Sequence, residues 1–302
     1  MAGEEMTVAR ARDFVRAVAE AYALGLAAAP GVMEPQVLAG PVAGSGQGGT
    51  VLICAPHPDD ESLTGALPLR LGREDNCAVL ALAVTLGSDP VRRTERWREF
   101  VAATDLLGWE GLPPLDDRAF TRLAPEDRAQ QPAVWRQRAA LLADLLDDRR
   151  PDLVLLPHGR DAHPTHVAVH HLVVEALALH SARRQRRLLV AASEFWRPLA
   201  EPNLLVGLAG DDVARLVAAV ARHRGEVARQ PYHVRLPFRM VDTVRRGSEL
   251  LAGYGAGGAP LLFAEIYRLT AVCSGVPAAA AAPLVIGPEQ RLTLAALQAS
   301  GL

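Results

Sequence analysis

Two stretches of the chain carry the same pattern: VLICAPHPDDES at residues 51–62 and DLVLLPHGRDAHPTH at residues 152–166. In each stretch, a short apolar run is followed by a His-Pro step and then by a second side chain that can bind a metal ion. A short apolar run bounded by turn residues is typical of a buried strand. The sequence therefore predicts two buried strands that both end in chemically active side chains.

Short apolar strands alternate with helical patterns around these two stretches. Strands are expected at 51–55, 77–85, 152–157 and 187–193, and helices at 59–73, 92–107, 132–148 and 165–181. Further along, helices are expected at 211–223 and 241–251, and a strand at 261–270. This alternation predicts an α/β, Rossmann-like fold with a mostly parallel sheet and helices on both faces.

The chain is divided by a segment rich in Gly, PVAGSGQGG. The predicted domain organisation is an N-terminal helical extension at 1–40 with its helix at 5–28, a linker at 41–49, a main domain at 50–275 and a C-terminal tail at 276–302. A second glycine-rich segment, GYGAGG at 253–258, follows a helix rather than a strand, so it predicts a flexible loop and not a dinucleotide-binding fingerprint.

The composition is that of an ordinary globular protein and excludes several partners. Of 302 residues, 50% are hydrophobic and 22% charged, and the net charge of −2 argues against binding to nucleic acid or to an anionic membrane. No apolar run approaches the roughly 18 residues of a membrane span. Three cysteines, an odd number, favour a reduced compartment. We therefore expect a cytoplasmic protein.

Both His-Pro motifs lie where predicted strands lead into helices, which is where open α/β sheets bind ligands. Proline favours the first helical position. If each proline is that residue, His57 and His163 are the N-caps, and Asp60 and His166 lie one turn further on the same side. Two strand ends can then build one site from both sides.

The residues of these motifs are typical of a metal or acid/base site. Five of the nine histidines fall within fourteen residues: His158, His163, His166, His170 and His171. The three acids Asp59, Asp60 and Glu61 have a simpler explanation as well, because acidic residues in a first helical turn complement the helix dipole. Three consecutive acids after a buried strand also repel one another, which favours a functional role.

The pair APHPDDE and GRDAHPTH resembles the motifs of the LmbE-like/PIG-L superfamily of zinc-dependent N-acetylglucosaminyl deacetylases. The similarity runs from about residue 48 to 270 and includes TLGSD at 85–89, RWREFVAATDLLG at 96–108 and FAEIYR at 263–268. Thr165 departs from the family's commoner His-Pro-Asp-His but leaves both histidines in place. Thr64 stands where many members have glycine.

The resemblance implies a role for each residue of the two motifs. The metal ligands would be His57, Asp60 and His166, with Asp59 as general base and His163 stabilising the oxyanion and protonating the leaving amine. Two imidazoles and one carboxylate leave a zinc ion with the open position of a catalytic site, where the pKa of a water molecule falls to about 7. The expected cofactor is Zn²⁺, with Fe²⁺ or another divalent metal left open.

Substrate contacts are less clearly indicated. Arg96 matches a family arginine that faces the sugar pocket, although a solvated helix arginine fits equally well. Arg160 lies close in sequence to the predicted ligands and is a second candidate for substrate binding. Trp196 follows a predicted strand and is suited either to stacking on a sugar or to packing at the sheet edge.

The expected function is a metal-dependent hydrolase of linear, non-peptide amides that removes an N-acyl group, acetyl first, from an amino-sugar substrate. An amidase acting on a larger sugar conjugate is the alternative. A non-catalytic module that retains the metal is disfavoured, because the base and all three ligands are present. The expected partner is a small amino sugar, and the sequence leaves a homo-oligomer open.

Overall fold

A computed structural model describes residues 6–28, 48–116, 120, 123–184, 187–253, 261–273, 276–277 and 282–300. The helices are α1 (Val8–Ala28), α2 (Asp60–Leu63), α3 (Ala66–Asp75), α4 (Arg93–Leu107), α5 (Asp127–Gln130), α6 (Pro132–Arg149), α7 (Pro164–Arg184), α8 (Gly210–Val220), α9 (Arg224–Val227), α10 (Tyr232–Ala252) and α11 (Leu294–Ala299). The strands are β1 (Thr50–Ala55), β2 (Ala78–Ala83), β3 (Glu110–Leu112), β4 (Leu153–Pro157), β5 (Leu188–Ser193), β6 (Leu204–Leu208), β7 (Phe263–Cys273), β8 (Val276–Pro277) and β9 (Leu284–Ile286).

The described strands form one sheet in the order β3-β2-β1-β4-β5-β7-β6-β9, with β8 paired to β7. Pairing is parallel from β3 to β5 and between β6 and β9, whereas β7 runs antiparallel to both of its long neighbours. The predicted α/β fold with a mostly parallel sheet is thus confirmed. The strand predicted at 261–270 corresponds to β7, but its antiparallel direction was not expected. The strands β3, β6 and β9 were not expected either, because three to five residues carry little periodic signal.

Helices cover both faces of the sheet, as predicted. Alternate side chains of β1 enter two separate cores: Val51 and Ile53 pack on the side of α3, α4 and α8, and Leu52 and Cys54 pack on the side of α6 and α7. All four are buried. The near-continuous apolar sequence of β1 follows from this burial on both faces.

The two strands that carry the His-Pro motifs are neighbours. β1 and β4 pair in parallel with Ile53 opposite Leu155. From β1 the chain continues to β2 on one side, and β4 lies on the other side, so the strand order reverses between them. A crevice forms at such a reversal, outside the carboxyl ends of the strands. The fold therefore brings the ends of both motifs to one place.

One predicted helix is broken in two. The helix expected at 59–73 is interrupted between α2 and α3 at Thr64 and Gly65. A Cβ atom at Gly65 would lie 2.6 Å from Leu216 of α8, so glycine is needed for this close approach. Glu265 and Tyr267 of β7 accept hydrogen bonds from the first two backbone N–H groups of α3 and so fix where the new helix begins.

The entry into α2 also differs from the prediction. Pro164 is the first residue of α7, as expected, but α2 begins at Asp60 with Asp59 as its N-cap. Consequently Pro58 is not a first helical residue and His57 is not an N-cap. The cause is the backbone of Asp59, whose φ of 115° is incompatible with a helix that starts at the proline.

Two segments outside the predicted main domain, helix α1 and the segment that contains β9, contact it. Ala11 and Val15 of α1 are buried in the core beside α8. The segment expected as a C-terminal tail adds β9 to the sheet, and the buried Arg70 donates hydrogen bonds to the backbone oxygens of Gly207 and Gly287. The domain division itself stays a prediction, since most of the linker, like most of GYGAGG, lies outside the described residues.

Helix α10 begins nine residues before the predicted start at 241. The prediction missed its first part because Pro237 interrupts the helical pattern in the sequence. None of the described helices is both long enough and apolar enough to cross a membrane.

Candidate active site

Three side chains from the two motifs converge at the end of the β1/β4 pair. His57 comes from the turn after β1, Asp60 opens α2, and His166 lies in the first turn of α7. Asp60 Oδ2 is 3.2 Å from His57 Nδ1 and 3.3 Å from His166 Nε2. One ligand atom from each of the three lies within 4.8 Å of the others.

This arrangement fits a divalent metal ion. Ligand atoms about 2.0–2.2 Å from a tetrahedral zinc ion lie about 3.3–3.6 Å from one another. Both distances from Asp60 Oδ2 are close to that range. Burial alone would raise the pKa of Asp60, but the His166 and His57 rings lower it well below its usual range. The carboxylate is thus held in the ionised form that a metal requires.

Asp59 lines the same crevice in a strained backbone conformation. Its φ of 115° lies in the region that favours glycine. Its N–H donates to Glu61 Oε2 at 2.8 Å, and Glu61 is held in turn by Ser62 Oγ at 2.6 Å and His223 Nε2 at 2.8 Å. Burial, followed by the charges of Asp60 and Glu61, raises the pKa of Asp59 well above its ordinary value.

The ring of His163 lies beside the rings of His57 and His166. Its centroid is 5.1 Å from that of His57 and 4.9 Å from that of His166. The N–H of Thr165 donates to His163 Nδ1 at 3.2 Å, so the neutral ring carries its proton on Nε2. Burial, followed by the neighbouring histidines, lowers the pKa of His163. The ring is therefore prepared to donate a hydrogen bond from Nε2.

Asp161 organises the loop that carries the second motif. Its carboxylate accepts the N–H of His163 at 2.8 Å and the N–H of Trp196 at 3.0 Å. It also lies 3.9 Å from His166 Nδ1, a buried nitrogen without a hydrogen-bond partner among the described residues. A carboxylate behind a ligand histidine orients the ring and raises its basicity.

A polar cavity of about 580 Å³ opens in front of these side chains. Its walls include Arg96, Glu226, Arg229, Tyr232 and Trp196, with Thr85, Gly87 and Ser88 from the loop after β2. Arg96 donates to the backbone oxygen of Pro58 at 3.2 Å and lies 3.6 Å from Glu226. A Cβ atom at Gly87 would lie 2.2 Å from the Arg96 guanidinium, so this glycine makes room for the arginine.

The predicted site residues are not all in one place. The cavity contains His57, Asp59, Asp60, His163, His166 and Arg96. Arg160 lines a different cleft, together with His158, His170, Arg197 and Arg268. The His170 ring bonds to the backbone oxygen of Pro157, and His158 to that of Arg197. The histidine cluster is therefore divided between two clefts.

Several residues of the site were missed by the sequence analysis. They are Asp161, Phe195, His223, Glu226 and Tyr232. Asp161 lies inside the quoted GRDAHPTH stretch, and its position between the histidines was the available signal. His223, Glu226 and Tyr232 come from the region of α9, far along the chain, where no motif marks them.

Comparison with known proteins shows a similarity to one family over part of the chain. Residues 52–177 match the family model of PIG-L, described as GlcNAc-PI de-N-acetylase. The similarity to this family covers 126 of the 302 residues. The match spans both His-Pro motifs and the strands that carry them. No curated protein sequence matches the chain significantly.

Solved structures share the fold of this chain at low sequence identity. N,N'-diacetylchitobiose deacetylase from Pyrococcus horikoshii superposes with a TM-score of 0.52 at 17% identity, over 73% of this chain and 83% of that one. The zinc-inhibited teicoplanin deacetylase Orf2 gives 0.51 at 16%, over 74% and 98%. The 4-carboxy-2-hydroxymuconate hydratase of Pseudomonas putida KT2440 gives 0.52 at 19%, over 73% and 95%.

The likenesses to solved structures establish the fold, and the family match over residues 52–177 supports a hydrolase of the N-deacetylase type. The hydratase shows that the same fold also carries other chemistry. The choice between reactions therefore depends on the site.

Proposed function

We propose that this protein is a metal-dependent hydrolase that removes an N-acyl group, with acetyl as the first candidate, from an amino-sugar substrate. The observation that carries the proposal is the His57–Asp60–His166 group, with Asp59 and His163 beside it in one polar cavity. The cavity volume of about 580 Å³ is within the range of roughly 300–1,000 Å³ typical of small-molecule sites.

His57, Asp60 and His166 would hold the metal. When bound, a zinc ion supplies a Lewis acid for an amide carbonyl and lowers the pKa of a water molecule to about 7. Iron(II) suits the same ligands. Asp60 contributes the only negative charge of the three, and its contacts with both rings hold the ligand atoms in one compact group.

Asp59 would be the general base. The pKa of Asp59 is raised, so its carboxylate is a stronger base for the proton of an attacking water. His163 would donate from Nε2 to the oxygen on which negative charge develops, and in its protonated form it would give a proton to the leaving amine. Arg96, Glu226 and Tyr232 would bind the hydroxyl groups of the sugar.

The test is amine release from a panel of N-acetylated amino sugars, their glycosides and larger sugar conjugates, with chelated and zinc-restored or iron(II)-restored protein. Metal-dependent release is expected, and Asp59→Asn should abolish most of it. Release from large conjugates alone would favour the amidase alternative. Absence of release from every compound, in protein that binds one equivalent of metal, would refute the proposal.

A further inference from the structure

A second cavity, of about 230 Å³, adjoins the metal-ligand group. We call it the apolar cavity; it is lined by Asp60, Leu63, Phe195, Trp196, Tyr232, Arg235, Leu236 and Arg239. Asp60, Trp196 and Tyr232 also line the polar cavity, so the two cavities meet at the proposed metal. Their linings differ in character: one presents acids, arginines and hydroxyls, the other mainly aromatic and aliphatic side chains.

The charged ends of the two arginines in the apolar cavity have other partners. The Arg239 guanidinium donates to the backbone oxygens of Leu63 and Glu194. The Arg235 guanidinium donates to Gln230 Oε1 at 2.9 Å. The arginines therefore contribute mainly their aliphatic stems to the wall. A hydrocarbon suits this lining better than a sugar or an anion does.

The apolar cavity also reaches the reacting centre. The Phe195 ring packs edge-on against His166 with centroids 4.8 Å apart. Trp196 is fixed by its backbone bond to Asp161 and by an edge contact with Tyr232 at 5.9 Å. Trp196, Tyr232 and Asp60 thus line both cavities.

An N-acyl amide has two substituents of opposite character, and two cavities of opposite character meet here. We propose that the apolar cavity is an acyl pocket, and that the preferred substrate is an amino sugar whose N-acyl chain is longer than acetyl, with about four to eight carbons. This inference rests on the proposed function. In the reaction, water adds to the acyl carbon, the C–N bond breaks, and the products are the carboxylate and the protonated free amine.

The volume supports a chain of this length. A cavity of roughly 10–15 Å³ holds one water molecule on the same measure, and the apolar cavity has about 230 Å³. An acetyl methyl would leave most of that space unfilled. Each buried methylene contributes about 0.8 kcal/mol, which corresponds to roughly fourfold in affinity.

The first experiment measures binding rather than turnover. Acetate, butyrate, hexanoate and octanoate are titrated into the metal-loaded protein by calorimetry, since all four present the same carboxylate to the metal. Affinity is expected to rise roughly fourfold per methylene and to level off when the cavity is full. Equal affinity for acetate and octanoate would overturn the acyl pocket.

Variants on α10 then test where the hydrocarbon chain of the ligand binds. Leu236→Trp fills the apolar cavity, whereas Leu250→Trp places the same change on an exposed position of the same helix. The increase in binding affinity from acetate to octanoate should largely disappear in Leu236→Trp and remain in Leu250→Trp. If Leu236→Trp fails to fold, Arg235→Trp at the cavity wall with exposed Arg245→Trp as its control makes the same comparison. A gain that survives a folded cavity variant would overturn the assignment.

Turnover separates this inference from the proposed function. N-acetyl-, N-butyryl-, N-hexanoyl- and N-octanoylglucosamine are assayed for amine release with zinc-restored protein. Faster release from the longer chains supports both proposals. Release that is fastest from N-acetylglucosamine would overturn the acyl pocket and leave the hydrolase standing. No release from these four compounds or from the wider panel of glycosides and conjugates, with the chain-length gain in binding affinity intact, would refute the hydrolase and uphold the pocket as an acyl-binding site.

Discussion

The two motifs share their His-Pro step but are folded by different means. His-Pro-Thr-His begins the 21-residue helix α7 in the ordinary way, with proline as the first helical residue. His-Pro-Asp-Asp leads into the four-residue helix α2 through a residue with a φ of 115°. The second motif is positioned by local helix rules, and the first by contacts with distant parts of the chain.

The corresponding third positions, Asp59 and Thr165, show what this difference achieves. Thr165 is a regular helical residue whose N–H bonds to the His163 ring. Asp59 is held by Glu61, which is fixed by His223 from 162 positions away. Backbone strain of this kind costs about 1–3 kcal/mol and persists where the surroundings fix it, often at functional sites. The first motif thus gives up stability to direct a carboxylate into the cavity.

Loss of Asp60 should have the largest effect, because its carboxylate contacts the His57 ring of the first motif and the His166 ring of the second. Asp60→Ala is expected to lose the metal, with a fall in affinity well beyond the roughly 10–100-fold typical of an outer partner, and activity should fall to background. Metal content and amine release check this. Asp89→Ala, the same change at an exposed acid, is the control. Metal retention at one equivalent in Asp60→Ala would contradict the ligand set.

Asp59→Asn should separate the roles of neighbouring residues within the first motif. The amide preserves size but cannot accept a proton, so kcat is expected to fall roughly 10²–10⁴-fold. Metal content should stay unchanged, because Asp59 is not among the ligands. Parallel measurement of kcat and bound metal checks both statements. Full turnover would show that Asp59 is not the base.

The comparison also shows how far sequence alone could reach. The motifs predicted the α/β fold and the five residues that meet at the cavity, because the carboxyl ends of neighbouring parallel strands lie at one edge of a sheet, whereas the predicted helix start at Pro58 was wrong. The break at Gly65 was not predictable, since it depends on Leu216 of α8. The apolar cavity was equally hidden, because α10 and the segment after β5 meet only in the folded chain.

Asp161 supports the second motif as Glu61 supports the first, so its loss should act mainly through His166. Asp161→Asn removes the charge behind His166 Nδ1 and keeps one acceptor oxygen, so it retains only one of the two bonds from the N–H groups of His163 and Trp196. Metal affinity is expected to fall roughly 10–100-fold. Competition with a chelator of known affinity measures it, and Asp89→Asn is the control. Unchanged affinity would mean that Asp161 only shapes the loop.

The smallest effect tests the strain itself, with glycine placed at the third position of each motif in metal-free protein. Asp59→Gly removes a side chain from a backbone that favours glycine and also removes a buried acid, so the protein should gain about 1 kcal/mol, or roughly 2–4 °C in Tm. Thr165→Gly puts glycine into a regular helix and should lose about 0.5 kcal/mol. Thermal unfolding of the two variants beside wild type is the measurement. Shifts of opposite sign are expected from one substitution at equivalent positions, because only the first motif stores strain. If Asp59→Gly instead lowered Tm, the contacts of the Asp59 side chain would outweigh the strain, and the first motif would be stabilised by its catalytic residue.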